Sequence, residues 1–168
     1  MKRNEKRVFI ELLKNGRRPD KHIAKSLEMA QPTVTRIRQR LEKQKHITSY
    51  SPSVNLGKVG INLAVITLFR ISDFTKTESM KKTVIPYLNK MPQVVCVAEG
   101  EGLRGKTSMI ISMHKDFQDY QDMMLDLRKR FGKNVGDIEQ FIVSADKIYK
   151  DFSLNALAID ILSKELKG

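Results

Sequence analysis

Cysteine occurs once in the 168 residues, at Cys96, so no disulfide can form within the chain. Long apolar runs are missing too. The most apolar stretch, residues 61–71, is interrupted by Asn62, Thr67 and Arg70, and it falls short of the about 18 uninterrupted apolar residues of a membrane span. Residues 1–7 are charged and lead into an amphipathic segment rather than an apolar signal run, so a cytoplasmic protein with no membrane partner is expected. His22, His46 and His114 share no metal-site spacing, and no metal or cofactor is expected. What the chain most lacks is acid: 19 Asp and Glu face 31 Lys and Arg, a formal charge of +12. The apolar share of 40% is that of an ordinary globular protein, which sets disorder aside. The length suits one large domain or two small ones.

The shortage of acid is local. Residues 1–58 hold 15 Lys and Arg against 5 Asp and Glu, which is +10, and residues 59–168 hold 16 against 14, which is +2. Such a concentration attracts polyanions and, on nucleic acid, gains free energy from released counterions. A merely solvated basic face is the other reading, and the choice turns on whether a reading element lies inside the segment. The pattern supplies one. Val8, Phe9, Leu12 and Leu13 share a face of a helix over residues 5–15, with Gly16 as its stop. Pro19 and Asp20 open a second helix whose buried side is Ile23, Ala24 and Leu27, and residues 28–31 are short enough for a helix-turn-helix turn. Pro32 starts a third helix at its first position, with Val34, Ile37 and Leu41 inward. At 100° per residue the outer face carries Thr35, Arg36, Gln39 and Lys43, with Thr33 and Arg40 on its flank. Arg bridges the two acceptors of guanine, Gln pairs with adenine, and Thr suits a phosphate or a thymine methyl. Residues 47–50 and 53–56 are expected to form a hairpin wing around Ser51-Pro52.

In the remainder, residues 61–71 are apolar on both alternating faces, as in a strand covered on both sides. Residues 75–91 read as a helix that Pro86 kinks or delays. Strands over 94–99 and 107–114 flank a glycine-rich loop. A helix capped by Asp116 repeats Phe117, Tyr120, Met124, Leu127 and Phe131 at alternating spacings of three and four. A strand over 138–149 and a helix over 154–166, capped by Ser153, complete a β-α-β-β-α-β order, the ferredoxin-like arrangement. The expected class is α+β, divided into a winged helix-turn-helix (1–58), a ferredoxin-like domain (59–152) and a C-terminal helix (153–168).

The basic helix-turn-helix, the run Arg40-Leu41-Glu42 to Ile47-Thr48-Ser49-Tyr50, the link through Leu56-Gly57 and the βαββαβ domain together resemble the leucine-responsive and asparagine-responsive (Lrp/AsnC) regulators over nearly the whole chain. The resemblance implies a transcription regulator on double-stranded DNA, a homodimer or higher oligomer through the C-terminal domain, and an amino acid as effector. It makes residues 31–43 the recognition helix, so that Gln31, Thr33, Thr35, Arg36, Gln39, Arg40 and Lys43 are the candidate DNA contacts. Two positions where the family usually has Gly are Glu28 and Lys45 here. The family's effector-loop pattern G-D-x-D is replaced by Gly100-Glu101-Gly102-Leu103-Arg104-Gly105.

That loop carries competing motifs. Residues 100–107 satisfy both G-x-G-x-x-G and G-x-x-x-x-G-K-[ST], which taken alone point to a nucleotide. Both motifs need a helix after the glycines, and Thr107 to Met113 has strand character instead. A hairpin loop is favoured, with an anion-binding nest of Gly100, Gly102, Arg104 and Lys106 as the intermediate reading. The expectation is no enzyme; the alternative kept is an enzyme or a nucleotide- or tetrapyrrole-binding protein using this loop. His114 is expected at a surface or interface, and the methionines, Met109, Met113, Met123 and Met124 among them, as core filler. RNA-binding domains share the βαββαβ order but stack bases on aromatics of their central strands; residues 94–99 and 107–114 contain none.

Overall fold

Apolar stripes at helical spacing need a partner, and in the first third of the chain three short helices bury theirs against one another. The computed structural model describes residues 1–71, 77–150 and 153–167. It divides into two compact units, one of residues 1–53 together with the C-terminal helix, the other of residues 54–150. Helices α1 (Arg3–Lys14), α2 (Asp20–Leu27) and α3 (Gln31–Lys43) enclose Val8, Leu12, Ile23, Ala24, Val34, Ile37 and Leu41. The expected stripe of α3 is buried throughout. Pro32 stands second in α3, behind Gln31, rather than first. On α1 the burial differs from the expected face: Phe9 and Leu13 are half-buried while Ile10 is buried. The reason is a second neighbour. Helix α6 (Asn155–Lys167) lies along α1, where Lys6 pairs with Glu165 at 2.7 Å and the Asn155 amide donates to the Leu13 carbonyl at 3.2 Å.

The wing hairpin does not form: residues 47–55 contain no strand. Tyr50 is instead drawn onto the helices. Its hydroxyl donates to Glu42 at 2.9 Å, the Arg38 guanidinium lies 5.8 Å from its ring centre, and the ring sits so close to Gly16 that a Cβ there would meet it at 2.9 Å. Pro52, without an N–H, also cannot donate to a ladder.

The second unit runs β1 (Leu63–Ile71), α4 (Thr77–Leu88), β2 (Val94–Gly102), β3 (Lys106–His114), α5 (Phe117–Phe131) and β4 (Val135–Ser144). The sheet order is β2-β3-β1-β4, antiparallel throughout. This is the ferredoxin-like arrangement, with β1 and β3 central and β2 at an edge. Asp116 caps α5 as expected, accepting the Asp119 N–H at 2.9 Å. Residues 75–76 of the expected helix lie outside the described residues. Helix α4 continues through Pro86 but ends two residues later. Strand β4 starts and stops earlier than expected, and residues 145–147 form a single 3₁₀ turn.

Alternation along β1 divides the sheet into two faces. Val65, Phe69 and Ile71 are buried against Leu88 of α4 and Tyr120, Met123 and Met124 of α5. Ile66 and Leu68 point the other way. Their cross-strand neighbours are Ile111 and Met109 on β3 and, beside Ile66, Phe141 on β4, which is 66% exposed. Among the described residues, no helix of this unit packs against that face.

Candidate functional site

The helix-turn-helix is set by two left-handed residues and one carboxylate. Helix α2 ends at Glu28 (φ 55°, ψ 48°), which lets the Met29 N–H reach back to the Ala24 carbonyl at 2.9 Å. Lys45 (φ 57°) ends α3 in the same manner, with the His46 N–H on the Leu41 carbonyl at 2.9 Å. This conformation costs a side-chain-bearing residue about 1–2 kcal/mol, so both turns hold a glycine-like shape without glycine. Asp20 then fixes α3 against α2. It accepts from the Thr35 hydroxyl at 2.8 Å and from Arg38 Nε at 2.7 Å, and Arg38 continues to the Arg18 carbonyl at 2.9 Å. Burial works against the charge of Arg38, but the bonds to Asp20 and Tyr50 outweigh it and hold its pKa above the usual value.

This clamp leaves one face of α3 outward. Gln31, Arg36, Gln39 and Lys43 are exposed, and among the described residues none has a side-chain partner. Two shallow depressions follow this face, one lined by Gln31, Pro32, Thr35, Arg36 and Gln39, the other by Arg36, Gln39, Arg40, Lys43 and Gln44. Arg40 stands at the rim but is drawn to Glu5 at 2.6 Å. The Glu5 carboxyl is held below its ordinary pKa, first by the Lys2 backbone N–H and then by Arg40. Thr35 is committed to Asp20 and to the Gln31 carbonyl, and Thr33 is half-buried. Sequence reasoning passed over Arg38 and Asp20 as a pair. The available signal was angular: Arg38 stands two residues, hence 200°, from Arg36, on the side of α3 that faces the other helices.

The glycine loop is a hairpin connection. Gly102 pairs with Lys106 across it, and a single 3₁₀ turn over Leu103–Gly105 joins β2 to β3. Gly100 and Gly102 have open space where a Cβ would stand. Arg104 takes a left-handed conformation (φ 55°), and its side chain is 86% exposed, 3.9 Å from Glu139. Lys106 is different. It is buried, with its ammonium 2.7 Å from Asp137 and 3.1 Å from Glu139. The bond to Asp137 raises the Lys106 pKa and, reciprocally, lowers that of Asp137. The lysine that the phosphate motif would aim at a nucleotide therefore points at two carboxylates, and the element after the loop is a strand.

His114 is not at a surface: it is 1% exposed. Its Nε2 lies 2.8 Å from the Ser112 hydroxyl and its Nδ1 3.1 Å from Asp119, which also accepts from Gln93 at 3.3 Å. Burial alone would raise the Asp119 pKa, but the bonds from Gln93, His114 and the Lys115 N–H outweigh it and lower it. The connectivity is that of a Ser-His-Asp triad. Ser112 is completely buried, which denies it a substrate. The network ties β3 to α5.

No protein-family model matches the chain, and no curated protein matches it. Solved structures do. A transcriptional regulator from Neisseria meningitidis, crystallised with L-Met, superposes with a TM-score of 0.76 at 16% identity, over 94% of this chain and 99% of that one. An AsnC family transcriptional regulator from Agrobacterium tumefaciens gives 0.78 at 14% identity, over 94% and 99%. AsnC from E. coli gives 0.72 at 14%, over 90% and 97%. With its helix-turn-helix followed by a βαββαβ sheet unit, the chain has the fold of the AsnC-type transcriptional regulators.

Proposed function

We propose that the protein is a sequence-specific double-stranded DNA-binding transcription regulator that acts as a dimer or higher oligomer. The observation that carries this reading is the outer face of α3, where Arg36, Gln39 and Lys43 stand exposed and unpartnered among the described residues while neighbouring cations are held internally. Arg36 and Gln39 read base edges in the major groove, Lys43 and Gln31 contact the backbone, and Arg40 joins them by releasing Glu5. Thr35 acts by holding the helix at its angle. The uncovered sheet face, with Ile66, Leu68, Met109, Ile111 and Phe141, is the subunit interface. Two recognition helices in such a dimer read half-sites about one helical turn, or a multiple of it, apart.

A small anionic ligand modulates the dimer near residues 100–106. Arg104 is the cation open to it, and Lys106 reaches an anion only by giving up Asp137 or Glu139. The L-Met in the Neisseria regulator is a precedent for an amino acid in this fold.

The test is selection of genomic fragments by the intact protein, followed by binding to the selected duplex across a salt series. A preferred site whose affinity falls steeply with salt, yet keeps its margin over unrelated DNA, is the expected result. Binding that tracks charge alone, with no preferred fragment, overturns the reading.

A further inference from the structure

A partly open cavity of about 110 Å³ lies between the helix-facing side of the sheet and helices α4 and α5. Its wall is almost wholly carbon, with Phe69, Ile71, Val84, Leu88, Ile110 and Leu127 in it. Two hydroxyls, those of Thr67 and Ser108, interrupt the lining. Thr67, in the middle of β1, is 3% exposed, and its hydroxyl has no hydrogen-bond partner among the described residues. Buried hydroxyls without partners are rare, because losing water without gaining a bond is unfavourable. A buried water takes two to four polar neighbours, and the uncharged side chains of this lining offer it the hydroxyls of Thr67 and Ser108 alone.

We propose that this cavity is a binding site for an uncharged, ring-sized apolar molecule carrying one hydrogen-bonding atom, a phenol-like or indole-like compound. The ring lies between the sheet and the two helices, and its polar atom bonds Thr67 Oγ1. The size agrees: a dry apolar cavity of ~150 Å³ takes up benzene. Charge is selected against, because Glu99 and Arg128, the ionisable lining residues, are exposed at the rim while the interior offers only the hydroxyls of Thr67 and Ser108. The site is separate from the residue 100–106 loop, and it does not depend on the DNA-binding reading.

The experiment titrates the full-length protein with phenol and with toluene, which matches phenol in shape but cannot hydrogen-bond. Methyl NMR signals of Ile110 and Leu88 report occupancy in wild type, Thr67→Val and Val84→Phe. Wild type is expected to bind both molecules saturably. In Thr67→Val, whose side chain keeps its volume, the phenol-to-toluene affinity ratio should fall about fivefold, the worth of one net hydrogen bond, while toluene binding persists. Val84→Phe fills the space and should abolish both. If Val84→Phe does not fold, Thr67→Val decides alone. Absence of saturable shifts with either molecule in wild type, an unchanged ratio in Thr67→Val, or binding that survives in a folded Val84→Phe overturns the proposal.

Discussion

The two units differ in how much of their positive charge is balanced by acid. In the sheet unit the buried cation is matched, Lys106 lying between Asp137 and Glu139, and at the surface Arg130 binds Asp126 at 2.9 Å. Residues 1–53 hold only five acids, and three of them pair with the cations that hold the helices together, Glu5 with Arg40, Glu11 with Lys14 and Arg18, and Asp20 with Arg38. Arg36 and Lys43 stand outside those pairs, exposed on the outer face of α3. The lesson is that a net charge says little about function until the internally matched cations have been subtracted.

The largest expected effect comes from placing charge in the apolar part of the open sheet face. Ile66→Lys sets an ammonium among Ile111 and Phe141 on the open face. If that face joins two subunits, association should weaken by about 3 kcal/mol or more. Light scattering at micromolar concentration should then report a monomer with unchanged circular dichroism; an unaltered dimer would move the interface elsewhere.

Next come two arginines two residues apart. Arg38→Ala removes a half-buried partner from Asp20 and from the Arg18 carbonyl, and should lower stability by about 2–3 kcal/mol in chemical denaturation. Arg36→Ala should leave stability within about 0.5 kcal/mol yet cost about 1–3 kcal/mol at the preferred DNA site. Equal effects of the two on stability would erase the distinction between matched and unmatched cations.

The pair of Lys106 and Asp137 predicts a pH dependence in the sheet unit. Because Lys106 lowers the folded pKa of Asp137 beneath its unfolded value of about 3.9, its contribution is complete above that value and is lost as pH falls through the folded pKa. The raised pKa of Lys106 works in mirror image, losing its contribution only as pH rises through the folded value. Asp137→Asn, which tolerates the positive φ of 52° at that position, should remove this part of the acid dependence. Thermal unfolding between pH 3 and 7, with wild type as reference, is the measurement.

The smallest effect is at the turns. Glu28→Gly and Lys45→Gly relieve left-handed backbone but gain unfolded-state entropy, so each should raise stability by at most about 1 kcal/mol. A loss at either position would mean that its side chain contributes something the backbone geometry does not reveal.

The parts of this molecule legible in the sequence were periodic or local. The stripe Val34, Ile37 and Leu41, the repeat from Phe117 to Phe131 behind its Asp116 cap, and the βαββαβ order all follow from neighbours a few positions apart. The wing was misread because Tyr50, a plausible strand residue, is more favourably placed against Gly16, Arg38 and Glu42. His114 looked like a strand-end surface residue until α5 brought Asp119 over it.

By itself the sequence determined where the helices and most strands lie, that the excess positive charge belongs to the first third, and which side of α3 is apolar, since each depends on spacing along one element. Only the tertiary structure decided which cations remain available. Arg40 meets Glu5 from 35 positions away and Lys106 meets Glu139 from 33, and the Thr67 hydroxyl, without a partner among the described residues, is set in a largely apolar cavity by strands and helices that no local pattern could align. Hydrogen bonds and ion pairs act over a few ångströms of space, and distance along the chain carries no record of them.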